Sequence, residues 1–175
     1  MMSHNIASQM TNGRRTRGSR GSAMMEFAMV FTLFIGFLFA AFDFAYSIFV
    51  KATLHHAVRE GVRFAITASL VPGFSYHDDS IREVVRRNSL TLLNNQTDLN
   101  KVKIDYYLPD GYGATANNSA GNIVVVRVDR YKTASPVGAV LRDPNPYIIS
   151  VSATDKMEPF PGAPPTRSSP VVAGP

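Results

Sequence analysis

The side chains that could carry out chemistry in this sequence are few, and their spacing matches no catalytic or metal-binding arrangement. The sequence has no cysteine, which excludes disulfides, thiolate metal sites and thiol catalysis. His55 and His56 are adjacent, so on a helix they would point about 100° apart, whereas helical metal ligands are spaced i, i+3 or i+4. A phosphate-binding glycine loop, a nucleophile elbow and an HExxH motif are also missing from the sequence. We therefore expect no enzyme activity, no metal, no cofactor and no small-molecule substrate.

One carboxylate is nevertheless placed where it needs an explanation. Glu26 lies at the start of an apolar run, directly before Phe27 and five positions after Gly21. A charged side chain near the centre of a bilayer costs about 2.5–3.5 kcal/mol on insertion scales, and less near an edge. Glu26 therefore has either a partner or the simpler role of an acid at the positive end of a helix.

The apolar run around this glutamate predicts a transmembrane helix. From residue 27 to residue 42 no side chain is charged. A helix rises 1.5 Å per residue, so the hydrocarbon core of about 30 Å needs about 20 residues. We predict one membrane span over residues 22–50, with Asp43 near one face of the bilayer. The run is too long and too uniformly apolar for a buried helix of a soluble protein.

The net positive charge of the chain lies mainly in the leader, residues 1–21. Four of the 18 Lys and Arg residues lie there, together with no Asp or Glu. The remainder has 14 basic and 13 acidic residues, so the net charge of +5 belongs mostly to the leader. This distribution argues against a nucleic-acid partner. By the positive-inside rule it places the leader in the cytoplasm and the following domain outside.

The rest of the chain predicts a small extracytoplasmic α+β domain over residues 51–157. Apolar residues recur at i+4 from Leu54 to Ile66, so the first helix should continue as an amphipathic helix on this domain. A second helix is predicted from Asp78 to about Leu93. The pair Asp78-Asp79 reads as the start of that helix, with one of them as its cap, rather than as a catalytic pair.

An antiparallel sheet of about three strands should follow the second helix. β-branched and alternating segments predict strands over Lys101–Leu108, Ile123–Tyr131 and Tyr147–Thr154. Residues 109–121 are rich in Gly and Asn and predict a long loop, and residues 132–146 predict a loop with a short helical turn. The Pro-rich tail, residues 158–175, should be extended or disordered.

The junction between leader and span resembles that of prepilins. Residues 20–27 read R-G-S-A-M-M-E-F. In prepilins of the type IV pilus and type II secretion family, a membrane-embedded prepilin peptidase cuts after a glycine, and the fifth mature residue is glutamate. A cut after Gly21 makes Ser22 the first residue and Glu26 the fifth. The pair Glu26-Phe27 is typical of the pseudopilins of the tight-adherence (Tad) system, the TadE and TadF type.

A second segment narrows this resemblance to the TadE-like proteins. These proteins carry an acidic-aromatic pair near the end of the apolar run and then a segment similar to A-x-R-E-G-A-R-Y-A. This chain has Asp43-Phe44, and residues 57–65 read A-V-R-E-G-V-R-F-A. The resemblance covers roughly residues 20–66. The length of the leader departs from the family, whose leaders are often shorter, and Met1, Met2 or Met10 could be the start.

The resemblance implies a TadE-like pseudopilin of the bacterial inner membrane that takes part in assembling a Tad/Flp-type adhesive pilus. Its partners would be the membrane, prepilin peptidase, other pilin-like subunits and the pilus assembly platform. Glu26 would neutralise the terminal amine of a neighbouring subunit and so set the register between subunits. The alternative is an uncleaved single-pass membrane-anchored assembly or interaction factor. A signal peptide with a released soluble domain fits less well, because its apolar region is usually 7–15 residues.

The remaining residues of the family motif each have a plainer interpretation. Arg59, Glu60 and Arg63 could dock a partner, or Glu60 and Arg63 could form a surface ion pair worth about 0.2–0.5 kcal/mol. Gly61 could permit a close approach of two elements, or could be a tolerated glycine costing about 1 kcal/mol. Asp43 could bind a partner or reach the interface. Phe64 completes the motif.

Overall fold

The structure is a computed structural model that describes residues 19–111, 113–140, 142–143 and 147–168. Most of the predicted leader and residues 169–175 of the predicted tail lie outside the described residues. The chain divides into two compact units, Met1–Phe39 and Ala40–Pro175. The boundary between them falls inside the predicted span of residues 22–50.

The longest element is the helix α1 (Ser19–Ala65), which has 47 residues and is therefore about 70 Å long. Its described side chains in the first unit are exposed, apart from half-buried Ile35 and Leu38. Within the described residues, it is the one helix long and apolar enough to cross a membrane, with a mean hydropathy of 2.1 in its most apolar window. An exposed apolar helix of this length suggests a single-pass membrane anchor.

The second unit combines the end of α1 with three shorter helices and one sheet. The helices are α2 (His77–Asn88), α3 (Gln96–Leu99) and α4 (Pro136–Val140). The strands are β1 (Val102–Tyr107), β2 (Ala114–Thr115), β3 (Ile123–Thr133) and β4 (Tyr147–Lys156). They form one antiparallel sheet in the order β2-β1-β3-β4. The predicted α+β fold class is confirmed, with four strands rather than about three.

The core lies between one face of the sheet and the helices α1 and α2. Directly opposite residues on β1 and β3, such as Ile104 and Val126, are both buried, because side chains on one face of a sheet alternate along each strand. The predicted amphipathic stripe of α1 is also confirmed, since its i+4 residues pack into this cluster. The buried α1 members are Val50, Leu54, Ala57, Val58, Val62 and Ala65.

The second helix begins and ends differently from the prediction. It begins at His77, so its N-cap residue is Tyr76, and Asp78 and Asp79 lie in the first turn rather than at the cap. There the two carboxylates face the positive end of the helix dipole. The helix ends at Asn88 rather than near Leu93, because Leu90 and Thr91 have φ values of 49° and 70°, which a right-handed helix does not allow.

The first part of the predicted tail, residues 158–168, has no regular secondary structure, and its end is bound to the domain. The backbone N–H of His77 donates to the carbonyl of Thr166 at 2.8 Å, and Asn118 Nδ2 donates to the carbonyl of Pro165 at 3.0 Å. Arg167 reaches back to Asp78, with Nε 3.3 Å from Oδ2. The segment 165–168 is therefore a C-terminal strap across the start of α2.

Candidate functional site

The prepilin-like residues lie in the first turns of α1, in the first unit. Gly21, Ser22, Glu26 and Phe27 are all exposed. Ser22 Oγ donates a hydrogen bond to Glu26 Oε1 at 3.1 Å. The Phe27 ring stacks on that of Phe31, with 5.5 Å between centroids. Within the described part of the chain, no cation lies at salt-bridge distance from Glu26, so its carboxylate is accessible to a group from another molecule.

The bond between Gly21 and Ser22 is helical here, whereas a protease needs an extended substrate. The bond lies in the first turn of α1, where the backbone N–H groups have no partner within the helix. A glycine within a helix is also about 1 kcal/mol less favourable than alanine. Local unwinding at Gly21 is therefore inexpensive, and no neighbouring atom lies within 4 Å of the position that a Gly21 Cβ would occupy.

Asp43 is buried in the second unit and is held by residues far along the chain. Ser135 Oγ donates a hydrogen bond to Asp43 Oδ2, and the backbone N–H of Gly138 donates to Ser135 Oγ at 2.7 Å. The other carboxylate oxygen, Oδ1, is buried without a hydrogen-bond partner in the described residues. Asp43 therefore has a hydrogen-bond partner within the same chain, and its binding of another molecule stays a prediction.

Gly61 lies where α1 packs closely against α2. A Cβ at this position would lie 2.4 Å from Val85 Cγ2, and 3.7 Å from atoms of Ile81 and Val126. Contacts under 3.0 Å do not occur for real Cβ atoms, and the β-branched Val85 has little rotamer freedom in a helix. The structure thus agrees with the close-packing interpretation of this glycine.

The two arginines of the motif lie on the exposed side of α1. Arg59 and Arg63, together with His55, line a shallow groove against residues 152–155 of β4. Glu60 is half-buried and is not at salt-bridge distance from Arg63. The surface ion pair, one of the two interpretations of these residues, is therefore not formed in this structure, and the arginine side chains are exposed.

A buried polar cluster, which the sequence interpretation missed, lies beside Phe64 at the start of α2. His77 Nδ1 is 3.2 Å from the Tyr106 hydroxyl and 3.3 Å from Asn118 Nδ2, and the Phe64 ring lies 6.5 Å from the imidazole. Burial lowers the pKa of His77; Asp78 opposes this effect and Arg167 adds to it. A neutral imidazole fits this site because burial disfavours the charged form more than Asp78 favours it.

Arg167 of the C-terminal strap completes this cluster. Its guanidinium pairs with Asp78 and donates to the carbonyls of Ala116, at 2.9 Å, and of Ile104, at 3.4 Å. It also lies 4.3 Å from the centre of the Tyr106 ring, a cation–π distance. Burial is the main cause that raises the pKa of Tyr106, so the phenol stays neutral. Each of the three guanidinium nitrogens of Arg167 thus donates to a group of the same chain, which favours a structural role for this cluster.

The comparisons with known proteins identify one segment of the chain. Residues 21–63 match the family model of TadE-like proteins. The matched segment runs from Gly21 to Arg63, so it contains the prepilin-like residues, Asp43 and all of the later motif except Phe64 and Ala65. No curated protein matches the chain, and no solved structure matches it.

Proposed function

From the TadE-like segment of residues 21–63, we propose that this chain is a pilin-like structural subunit of a Tad pilus, processed by a prepilin peptidase after Gly21. The family match indicates a Tad pilus-associated protein, and the apolar helix indicates a membrane anchor. The observation that carries the proposal is that one match contains both the Gly21-to-Glu26 spacing and the Arg59-to-Arg63 motif. A structural role in the bacterial inner membrane follows, rather than a catalytic one.

The proposed span is shorter than the sequence pattern alone suggested. Asp43 and Val50 are buried in the second unit, so these residues do not face lipid. Residues 22–42 would form a helix about 32 Å long, which matches a hydrocarbon core of about 30 Å. The leader would then be cytoplasmic and the second unit extracytoplasmic.

Cleavage would change the charge at the start of this span. The arginines of the leader hold it in the cytoplasm, and their removal leaves a new terminal amine on Ser22. Glu26, which already accepts a hydrogen bond from Ser22, would then offer its carboxylate to the amine of a neighbouring subunit. In a low-dielectric filament core, such opposite charges are stabilised only when they are paired, so the pair would fix the axial position of each subunit.

The mature N-terminus of the protein from its native cell is the decisive measurement. We expect mass spectrometry to find chains that begin at Ser22. Gly21→Leu should block this cleavage, because a large side chain would obstruct the peptidase groove. It should leave the helix intact, since the space around Gly21 is open.

The second open glycine of the same helix provides a matched control. No neighbouring atom lies within 4 Å of the position that a Gly36 Cβ would occupy, so Gly36→Leu makes the same change away from the cut. Chains with this substitution should be processed normally. An intact leader in the unsubstituted protein would contradict the proposal and favour the uncleaved membrane-anchored assembly or interaction factor.

Replacing the glutamate tests its role separately from cleavage. Glu26→Gln keeps an oxygen that can accept the Ser22 hydrogen bond but removes the charge. We expect processing at Ser22 to continue and the number of pili counted by electron microscopy to fall to a small fraction. Glu158→Gln, at an exposed position of the second unit, should change neither quantity. Normal piliation with Glu26→Gln would show that the carboxylate does not set subunit register.

A further inference from the structure

The second unit carries a patch of exposed apolar residues at the end of its sheet. The patch consists of Val140, at the end of α4, and Tyr147 and Ile148, at the start of β4. These side chains are 83%, 41% and 54% exposed. Tyr147 and Ile148 are consecutive in β4, so their side chains point to opposite faces of the sheet. The exposed apolar side chains therefore surround the end of the sheet rather than covering one face. Large apolar side chains around one end of a domain indicate an interaction surface. We call these three residues the basal patch.

Contacts within the second unit place the basal patch beside the helix segment that follows the charge-free run. Ser135, one residue before α4, donates to Asp43, and Asp43 comes directly after residue 42. Thr133, the last residue of β3, pairs with Tyr147 of the basal patch. The basal patch therefore lies at the level of α1 where the uncharged apolar sequence ends.

The side chains around this level have the composition of a lipid interface. On the α1 segment of the second unit, Phe42, Phe44 and Ile48 are exposed, and Tyr46 is exposed between them. Tyrosine and tryptophan at the ends of a span concentrate at the headgroup level, because one end of the side chain is apolar and the other is polar; Tyr46 and Tyr147 fit this pattern. The exposed charges on the same segments are mostly basic. Lys132 pairs with Ile148 across β3 and β4, Arg142 follows Val140 by two residues, and Lys51 lies farther along α1; Asp143 is the acid among them. Basic side chains complement the anionic headgroups of a bilayer.

We propose that the basal patch inserts into the lipid interface, so that the second unit rests on the bilayer that its helix crosses. This inference depends on the membrane anchor of the proposed function but not on cleavage at Gly21. Val140, Tyr147 and Ile148 would enter the headgroup region, and Lys132 and Arg142 would contact lipid phosphates. The buried hydrogen bond from Ser135 to Asp43 would hold α4 at the depth of the lipid headgroups.

Tryptophan fluorescence tests this contact directly, because the chain has no native tryptophan. The full chain would be reconstituted into vesicles of phosphatidylethanolamine and phosphatidylglycerol, with and without brominated acyl chains. Tyr147→Trp reports on the basal patch. Phe74→Trp is the matched control, because Phe74 is 38% exposed and lies beyond the far end of α1. Val140→Trp is a second reporter in the basal patch.

We expect Tyr147→Trp and Val140→Trp to show blue-shifted emission and several-fold stronger bromine quenching than Phe74→Trp. Equal, weak quenching of all three would overturn the proposal, and if the chains also self-associate, the basal patch is instead a contact between copies. Flotation of the vesicles tests the membrane anchor separately. If the chains float but their tryptophans are not quenched, the anchor is present and only the contact of the basal patch with lipid is refuted. Chains that do not float refute both.

Discussion

Replacing Arg167 by alanine should lower the free energy of unfolding of the second unit by about 3–5 kcal/mol, the usual cost of removing one partner of a buried ion pair. The substitution leaves Asp78, whose side chain is fully buried, without this cation. It also removes the hydrogen bonds to the carbonyls of Ala116 and Ile104. Thermal unfolding of the detergent-solubilised full chain, followed by near-ultraviolet circular dichroism, measures the effect.

A surface arginine of the same domain provides the control. Arg87 pairs with Glu83 at 2.8 Å, but its side chain is 59% exposed. Glu83 retains Arg86 at 2.7 Å when Arg87 is removed. Arg87→Ala should therefore cost no more than about 0.5 kcal/mol. If Arg167→Ala were as mild as Arg87→Ala, the C-terminal strap would not be closed in solution.

Replacing Gly61 by alanine should also destabilise the second unit, by about 1–3 kcal/mol from overpacking. Helix propensity acts in the opposite direction, because alanine is favoured over glycine by about 1 kcal/mol. The contact outweighs propensity here, since the new methyl group would lie 2.4 Å from Val85 Cγ2. The helices α1 and α2 must then separate or Val85 must leave its rotamer. The same unfolding measurement gives the size of the effect.

A compensating substitution makes this prediction specific to the contact. Val85→Ala removes the methyl group that the new side chain meets, so the double variant should recover part of the stability that Gly61→Ala loses. In contrast, Gly36→Ala should leave the unfolding of the second unit unchanged, because Gly36 has open space around it. If Gly61→Ala raised the free energy of unfolding, this result would contradict the close packing of α1 against α2 at Gly61.

The sequence was sufficient to predict the elements whose patterns are long. The i+4 stripe of α1 and the β-branched runs of β1, β3 and β4 all appear in the fold. Close packing at Gly61 was one interpretation of the sequence, but the residue of α2 that Gly61 faces was not predicted. A pattern on one element shows which face is buried, whereas the identity of the facing element depends on tertiary contacts.

Short elements and distant polar contacts could not be predicted in this way. The strand β2 has two residues, too few for alternation to appear, and it lies in a segment whose Gly and Asn content indicated a loop. The contact from Ser135 to Asp43 joins residues 92 positions apart, and Arg167 pairs with Asp78 across 89 positions. Neither separation leaves a local pattern, so the buried polar cluster and the binding of the strap were missed.

Because a chain is synthesised from its N-terminus, the C-terminal strap determines how early the domain can finish folding. Asp78 emerges from the ribosome 89 residues before Arg167, which at 5–20 residues per second is roughly 4–18 s. During that interval the buried carboxylate has not yet met its strap cation, and the last strand, β4, is also still to come. The domain therefore cannot complete its fold until residue 167 has been made.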